Sequence, residues 1–287
     1  MPTIDLRGVE HYYEWICESE ARTKPVMVFV HGWGGSARYW HSTAEALKSE
    51  FDCLLYDLRG FGRSSLPQHS VNLNYEMADY ADDLAILLDK LQLDRIYLQA
   101  HSMGASVATL FLNRYRDRVH QGILICNGIF EYDEKAFAAF HKFGTYVVKF
   151  RYNWFLKFPF ADRMFMSRFL HRPIPKSDRI AFLEDFLLAD FAAAAGTIYT
   201  SVSKQAVEIM PQEFAKISVP TLLISGEKDI IIPAAMGKKA AALNDNLQYV
   251  ELPQTAHFPM LEDRENYLKT VREFLQLGKR NCLTSNQ

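Results

Sequence analysis

Cysteine is scarce in this chain: four among 287 residues, at Cys17, Cys53, Cys126 and Cys282. They are far apart and lack metal-ligand spacing, so they read as free thiols of a reducing compartment. Long apolar runs are also missing, since no stretch reaches the roughly 18 uninterrupted apolar residues of a membrane span. The opening Met1-Pro2-Thr3-Ile4-Asp5-Leu6-Arg7 does not read as a signal peptide. Neither sign of charge predominates, and a formal net charge of −2 argues against a dedicated nucleic-acid binder. There is no internal repeat, no low-complexity segment and no Gly-x-Gly-x-x-Gly, so a dinucleotide site is not expected. What is left, with 49% hydrophobic and 23% charged residues, is the composition of a soluble globular chain, expected in the cytoplasm.

What is present is an alternation. Residues 3–17 suggest one or two opening strands turning at Gly8. Val26–Val30, Cys53–Tyr56, Gly122–Cys126 and Thr221–Gly226 are apolar runs of the kind that forms strands buried on both faces. Between them lie helical spacings: Met77, Ala81, Leu84, Leu88 and Leu91, then Val107, Ala108, Phe111, Leu112 and Tyr115. Ser36 is placed to cap a helix running to about Ser49. A helix over 234–243, a strand Leu247–Leu252 and a last helix through Tyr267, Val271 and Phe274 follow, and Lys279–Gln287 reads as a frayed tail. The pattern predicts an α/β fold, a mostly parallel, doubly wound sheet covered by helices. It breaks at Asn127-Gly128. Residues 129–212 carry no clear buried strand, so they are expected to be a helical cap inserted into a core of 1–128 and 213–287, over the carboxyl edge of the sheet.

The chemistry centres on Ala100-His101-Ser102-Met103-Gly104, between an apolar strand and a helix. Strand, tight turn with Ser at the apex, then helix is a nucleophile elbow. The turn forces the Ser backbone into strain, so the residues two before and two after must be small. Ala100 and Gly104 meet that demand. A serine hydroxyl needs a base, and the base an orienting carboxylate. Asp229 follows one late strand and His257 the next, both at the expected edge of the sheet, with Glu227 an alternative to Asp229. An oxyanion needs two N–H donors. Met103 supplies one from the first turn of its helix, and Trp33, in the His31-Gly32-Trp33-Gly34-Gly35 loop that Gly32 lets approach closely, supplies the other. His31 and His101 are expected to brace these loops.

Together with Asp57-Leu58-Arg59-Gly60-Phe61-Gly62-Arg63-Ser64, these segments resemble, in order and spacing, the α/β-hydrolase superfamily, over nearly the whole chain outside the cap. Ala100 stands where that pattern has Gly. The resemblance implies a Ser-Asp-His hydrolase with a helical lid and no cofactor or metal, with 57–64 as a structural loop. A serine at position 102 is unlike the branches that use an Asp nucleophile, the haloalkane dehalogenases and epoxide hydrolases.

The expected activity is hydrolysis of a carboxylic ester of an apolar small molecule. Cleavage of a C–C bond in a vinylogous diketone, or of a thioester, by the same triad stays open, as does a non-catalytic receptor or scaffold on the same fold. Fourteen aromatics lie between Phe130 and Phe169, and seven Lys or Arg face one acid from Lys142 to Arg172. They read either as packing and a solvated face, or as a greasy slot with a basic rim for a long apolar chain, at an anionic membrane surface. Phe137, Phe140, Trp154 and Phe258 are the expected pocket residues.

Overall fold

In the computed structural model the described residues are 2–68 and 73–277; Cys282 and the tail expected from Lys279 to Gln287 lie outside them. The strands are β1 (Thr3–Leu6), β2 (Val9–Ile16), β3 (Val26–Val30), β4 (Asp52–Tyr56), β5 (Ile96–His101), β6 (Val119–Ile125), β7 (Thr221–Gly226) and β8 (Leu247–Leu252). They form one eight-stranded sheet in the order β1-β2-β4-β3-β5-β6-β7-β8. The first two strands join antiparallel, and every pairing from β4 through β8 is parallel. The β1–β2 turn is tight because Arg7 and Gly8 both take positive φ, 56° and 85°.

The parallel strands read as continuous apolar runs because both faces are buried. Val28, Val30, Leu54, Tyr56, Leu124 and Leu223 point into one core. Their neighbours Met27, Phe29, Cys53, Leu55, Ile123 and Leu222 point into the other. The first core is covered by α2 (Met77–Lys90), α3 (Met103–Arg114), α8 (Lys204–Lys216) and α9 (Ala234–Ala241). The second is covered by α1 (His41–Leu47) and, after the one-turn α10 (Pro259–Glu262), by α11 (Arg264–Phe274). No helix among the described residues is long and apolar enough to cross a membrane. Among the described residues Cys17, Cys53 and Cys126 form no disulfide.

Between β6 and β7 the chain builds α4 (Glu134–Lys149), a 3-10 turn at Asn153–Lys157, α5 (Ala161–Met166), α6 (Lys176–Leu188), α7 (Phe191–Ser201) and then α8. The boundary expected at 212 falls inside α8. That helix belongs with the sheet-covering layer, because Phe214 is buried in the first core and Asn244 donates to the Phe214 carbonyl at 3.0 Å. The rest of the insert is tied to the loop after β3. Ser36 does cap there, accepting from Arg38 N–H at 3.2 Å at the start of a 3-10 turn, Ala37–Trp40, that leads into α1. Its hydroxyl also donates to Asp185 of α6 at 2.6 Å, and Arg38 donates to Asp185 and Glu184, each at 2.9 Å.

His11 of β2 is fully buried; its Nδ1 donates to the Val9 carbonyl at 2.9 Å and its Nε2 has no partner among the described residues. Burial drives its imidazole down to about 4. The unfolded chain therefore takes up this proton first, so the contribution is whole above about pH 6.5 and is lost as pH falls toward 4. The loss for this one group is about 2 to 3 kcal/mol between pH 7 and 4.5. His11→Leu should flatten the pH dependence of urea unfolding by that amount, and parallel curves for the two proteins would contradict it.

Candidate active site

Ser102 sits between β5 and α3 at φ 54°, ψ −122°. For a residue with a side chain that backbone costs on the order of 1–3 kcal/mol, and only surrounding contacts hold it. They are visible. Ser102 N–H donates to the Ile125 carbonyl of β6 at 2.8 Å. Gly104 lets α3 close onto the end of β3, since a Cβ there would collide with the His31 carbonyl oxygen. Ala100 needs no such space: it is fully buried in the first core, paired in β5 with Val30 and Leu124. That small side chain stands where the family pattern has glycine.

His257, in the loop after β8, approaches Ser102 Oγ through Nε2 at 3.0 Å, and its Nδ1 meets Asp229 Oδ2 at 2.7 Å. The other Asp229 oxygen accepts the N–H groups of Ile231 and Ile232 at 2.8 and 3.1 Å, which fixes the carboxylate in a fully buried position. Glu227 is turned elsewhere: it accepts from Gln254 N–H at 2.8 Å and from Lys228 at 2.7 Å. The carboxylate loop reaches the histidine loop because position 226 is glycine; a Cβ there would overlap the Ala256 carbonyl oxygen.

Gly32 runs against the elbow, with 3.0 Å from its would-be Cβ to that of Ser102. The backbone N–H groups of Trp33 and Met103 have no protein acceptor among the described residues. Met103 is the first residue of α3, where the helix dipole adds to an anion-binding N–H. The Trp33 ring also reaches the insert, donating from Nε1 to the Ala194 carbonyl of α7 at 3.0 Å.

Both supporting histidines brace loops as expected. His31 donates from Nδ1 to the Gly32 carbonyl and accepts the Leu58 N–H at Nε2, each at 2.8 Å. The 57–64 loop is structural: Asp57 accepts Ala37 N–H at 2.7 Å and Arg63 N–H at 2.8 Å. His101 does more. Its Nε2 donates to the His257 carbonyl at 2.7 Å, and Tyr39 Oη donates to its Nδ1 at 3.1 Å while accepting the Gly32 N–H. One buried chain thus links the loop after β3, the elbow strand and the backbone of His257. Burial, with the nearby His257, drives the His101 imidazole well below its usual value, so it stays neutral. Tyr39 is the residue sequence reasoning missed; an aromatic at the start of a helix carries no signal beyond core packing.

Of the expected pocket residues, Phe258 is beside the site, its ring 5.6 Å from His257 and 4.8 Å from His101. Phe140 and Trp154 are not brought there. Their rings are 44% and 61% exposed, and their ring contacts are with His141, and with Tyr152 and Phe155. Phe137 lies near the start of α4 against Tyr132. The rings that do surround the site are Phe169, 6.1 Å from His257, then Phe182, Phe165, Phe186 and Trp33 in a connected wall. Helical periodicity could not find them, since it does not say which face of an aromatic-rich helix turns inward. His101, Cys126 and His257 also bring potential metal-ligand atoms within 4.8 Å of one another. All four ring nitrogens are already engaged, and burial keeps the Cys126 thiol protonated by raising it well above its ordinary value.

A strained serine at a strand–helix turn, backed by histidine and carboxylate at one sheet edge, defines a hydrolase site of the α/β type. The family model described as "alpha/beta hydrolase fold" matches residues 25–264, and the chain belongs to that family. A protein from Bacillus subtilis named uncharacterized hydrolase YugF is 24% identical over 286 residues, 96% of each chain. The enol-lactonase from Burkholderia xenovorans superposes with a TM-score of 0.76 at 21% identity, over 96% of this chain and 100% of that one. A thermophilic esterase from Thermogutta terrifontis gives 0.74 at 24% identity, over 96% and 98%.

Tyr39→Phe removes the hydroxyl that joins Gly32 N–H to His101 and leaves a buried donor and a buried acceptor without partners. The expected cost is about 1–3 kcal/mol in stability. Turnover of any substrate the protein hydrolyses should drop roughly tenfold or more at little changed KM, because positioning and not binding is damaged. A variant with wild-type kcat would remove Tyr39 from the site's support.

Proposed function

We propose that the protein is a serine hydrolase that cleaves carboxylic esters of apolar molecules through an acyl-enzyme on Ser102. The observation that carries this is the unbroken line Ser102 Oγ, His257, Asp229 at 3.0 and 2.7 Å, walled by phenylalanine rings. Ser102 Oγ attacks the ester carbonyl as its proton passes to His257 Nε2. Asp229 holds the Nδ1–H tautomer and balances the imidazolium. The oxyanion is received by the N–H groups of Met103 and Trp33. His257 then protonates the leaving alcohol, and water repeats the sequence to free the acid. The aromatic wall, contributed by α5 and α6 of the insert with Phe169 and Phe258, favours an apolar acyl group over a charged one. In this reading residues 129 to about 203 act as the cap, and Phe258 is a pocket residue.

A fluorophosphonate probe should label the native protein and not Ser102→Ala. Asp229→Asn should retain the fold and lose roughly 10⁴-fold in kcat, the size expected when the base is left in the wrong tautomer. In an ester series, kcat/KM should rise with acyl length; labelling of Ser102→Ala, or preference for the shortest esters, would defeat the proposal.

A further inference from the structure

The segment from Tyr146 to Phe165 has an inner and an outer face. On the inner face Val147, Phe155 and Phe165 pack with Ala161, Leu183 and Phe186 and with Trp33 of the oxyanion loop. On the outer face Tyr146, Phe150, Tyr152, Trp154, Phe158 and Phe160 are between 50% and 70% exposed. Four of these rings are continuous, Tyr146 to Phe150 at 6.2 Å, Phe150 to Tyr152 at 6.4 Å and Tyr152 to Trp154 at 6.4 Å. Soluble proteins rarely leave so many large apolar side chains together in water unless something covers them.

The exposed charge of this segment and its flanks identifies the cover. Lys142, Lys149, Lys157, Arg163 and Arg168 have no carboxylate partner among the described residues, while Asp162, the acid of this stretch, is taken by Arg179 at 2.8 Å. Glu184 and Asp185, which share a groove with Lys157, are held by Arg38. A second copy docked face to face would set these cations against each other. An anionic lipid surface would accept the rings into its acyl boundary and the cations at its headgroups. We infer that the outer face of this segment docks on an anionic lipid surface. Given the reading of the site as an esterase for apolar substrates, the docked segment also sets the aromatic wall of the site, packed on its inner face, next to the source of substrate.

The test uses Ser102→Ala protein, which leaves lipid intact. It is sedimented with vesicles of phosphatidylcholine containing roughly a third of phosphatidylglycerol, and with phosphatidylcholine alone. Binding should favour the anionic vesicles by at least about tenfold, with a blue shift of tryptophan emission that Trp154→Phe abolishes. Lys149→Glu with Lys157→Glu should erase the preference for anionic lipid. Phe150→Ala with Phe158→Ala should weaken binding about tenfold, with circular dichroism and thermal melting unchanged. No binding, binding indifferent to lipid charge or to these variants, or a patch covered by concentration-dependent self-association would overturn the docking. Vesicle binding by a protein whose native form hydrolyses no ester would overturn the esterase reading alone.

Discussion

The site depends on close approach of main chain to main chain around Ser102. A serine at φ 54° cannot hold that geometry by its own preferences. It is held because α3 closes on the His31 carbonyl at Gly104, the β3 loop passes the serine at Gly32, and the β7 loop meets the Ala256 carbonyl at Gly226. At Gly104 and Gly226 a methyl group would overlap a backbone oxygen, and backbone cannot step aside as a side-chain end can. The strain of about 1–3 kcal/mol is offset by a sheet whose central strands are buried on both faces.

Once the loops are that close, hydrogen bonds can assign each histidine one task. His257 and His101 have ring centres 4.8 Å apart, yet their surroundings are opposite. His257 has a buried carboxylate behind it and the serine in front. His101 faces a tyrosine hydroxyl and a peptide carbonyl, with burial and its neighbour both opposing protonation. A neutral His101 can accept from Tyr39 at Nδ1 while it donates from Nε2 to the His257 carbonyl. It also fixes the backbone from which His257 projects.

Much of this was legible in the sequence because each requirement is local. Buried parallel strands must be apolar runs, and the strand-end loops carry residues with special backbone or chemistry, so β3, β5, β7, β8 and the Ser102, Asp229 and His257 positions stand out. Ala100 shows the limit of a motif: the constraint is space at one atom, and at position 100 the space exists. Interactions made across the fold were not legible. Ser36 meets Asp185 from 149 residues away, and Tyr39 meets His101 from 62. The direction of Phe140 and Trp154 was not legible either. A segment that is aromatic on both of its faces has no periodicity to say which ring reaches the site, and the rings that do, Phe165, Phe169 and Phe182, carry no local mark.

The insert is joined to the site by the same turn that supports it. Ser36, Arg38 and Tyr39 are consecutive or nearly so, and they face different ways. Ser36 and Arg38 grip Asp185 and Glu184 of α6, Asp57 holds the Ala37 N–H between them, and Tyr39 carries the hydroxyl shared by Gly32 and His101. Burial raises the Asp185 carboxyl from its ordinary value against the pull of Arg38, so this contact is strong only while both partners stay in place. The Trp33 ring makes a second link, to the Ala194 carbonyl, from the residue whose N–H is proposed to receive the oxyanion. Any displacement of α6 or α7 must therefore be felt at the 36–39 turn or at Trp33. Phe165, Phe182 and Phe186 make the insert one wall of the proposed substrate site, and these polar contacts make it part of the support of the proposed oxyanion site as well.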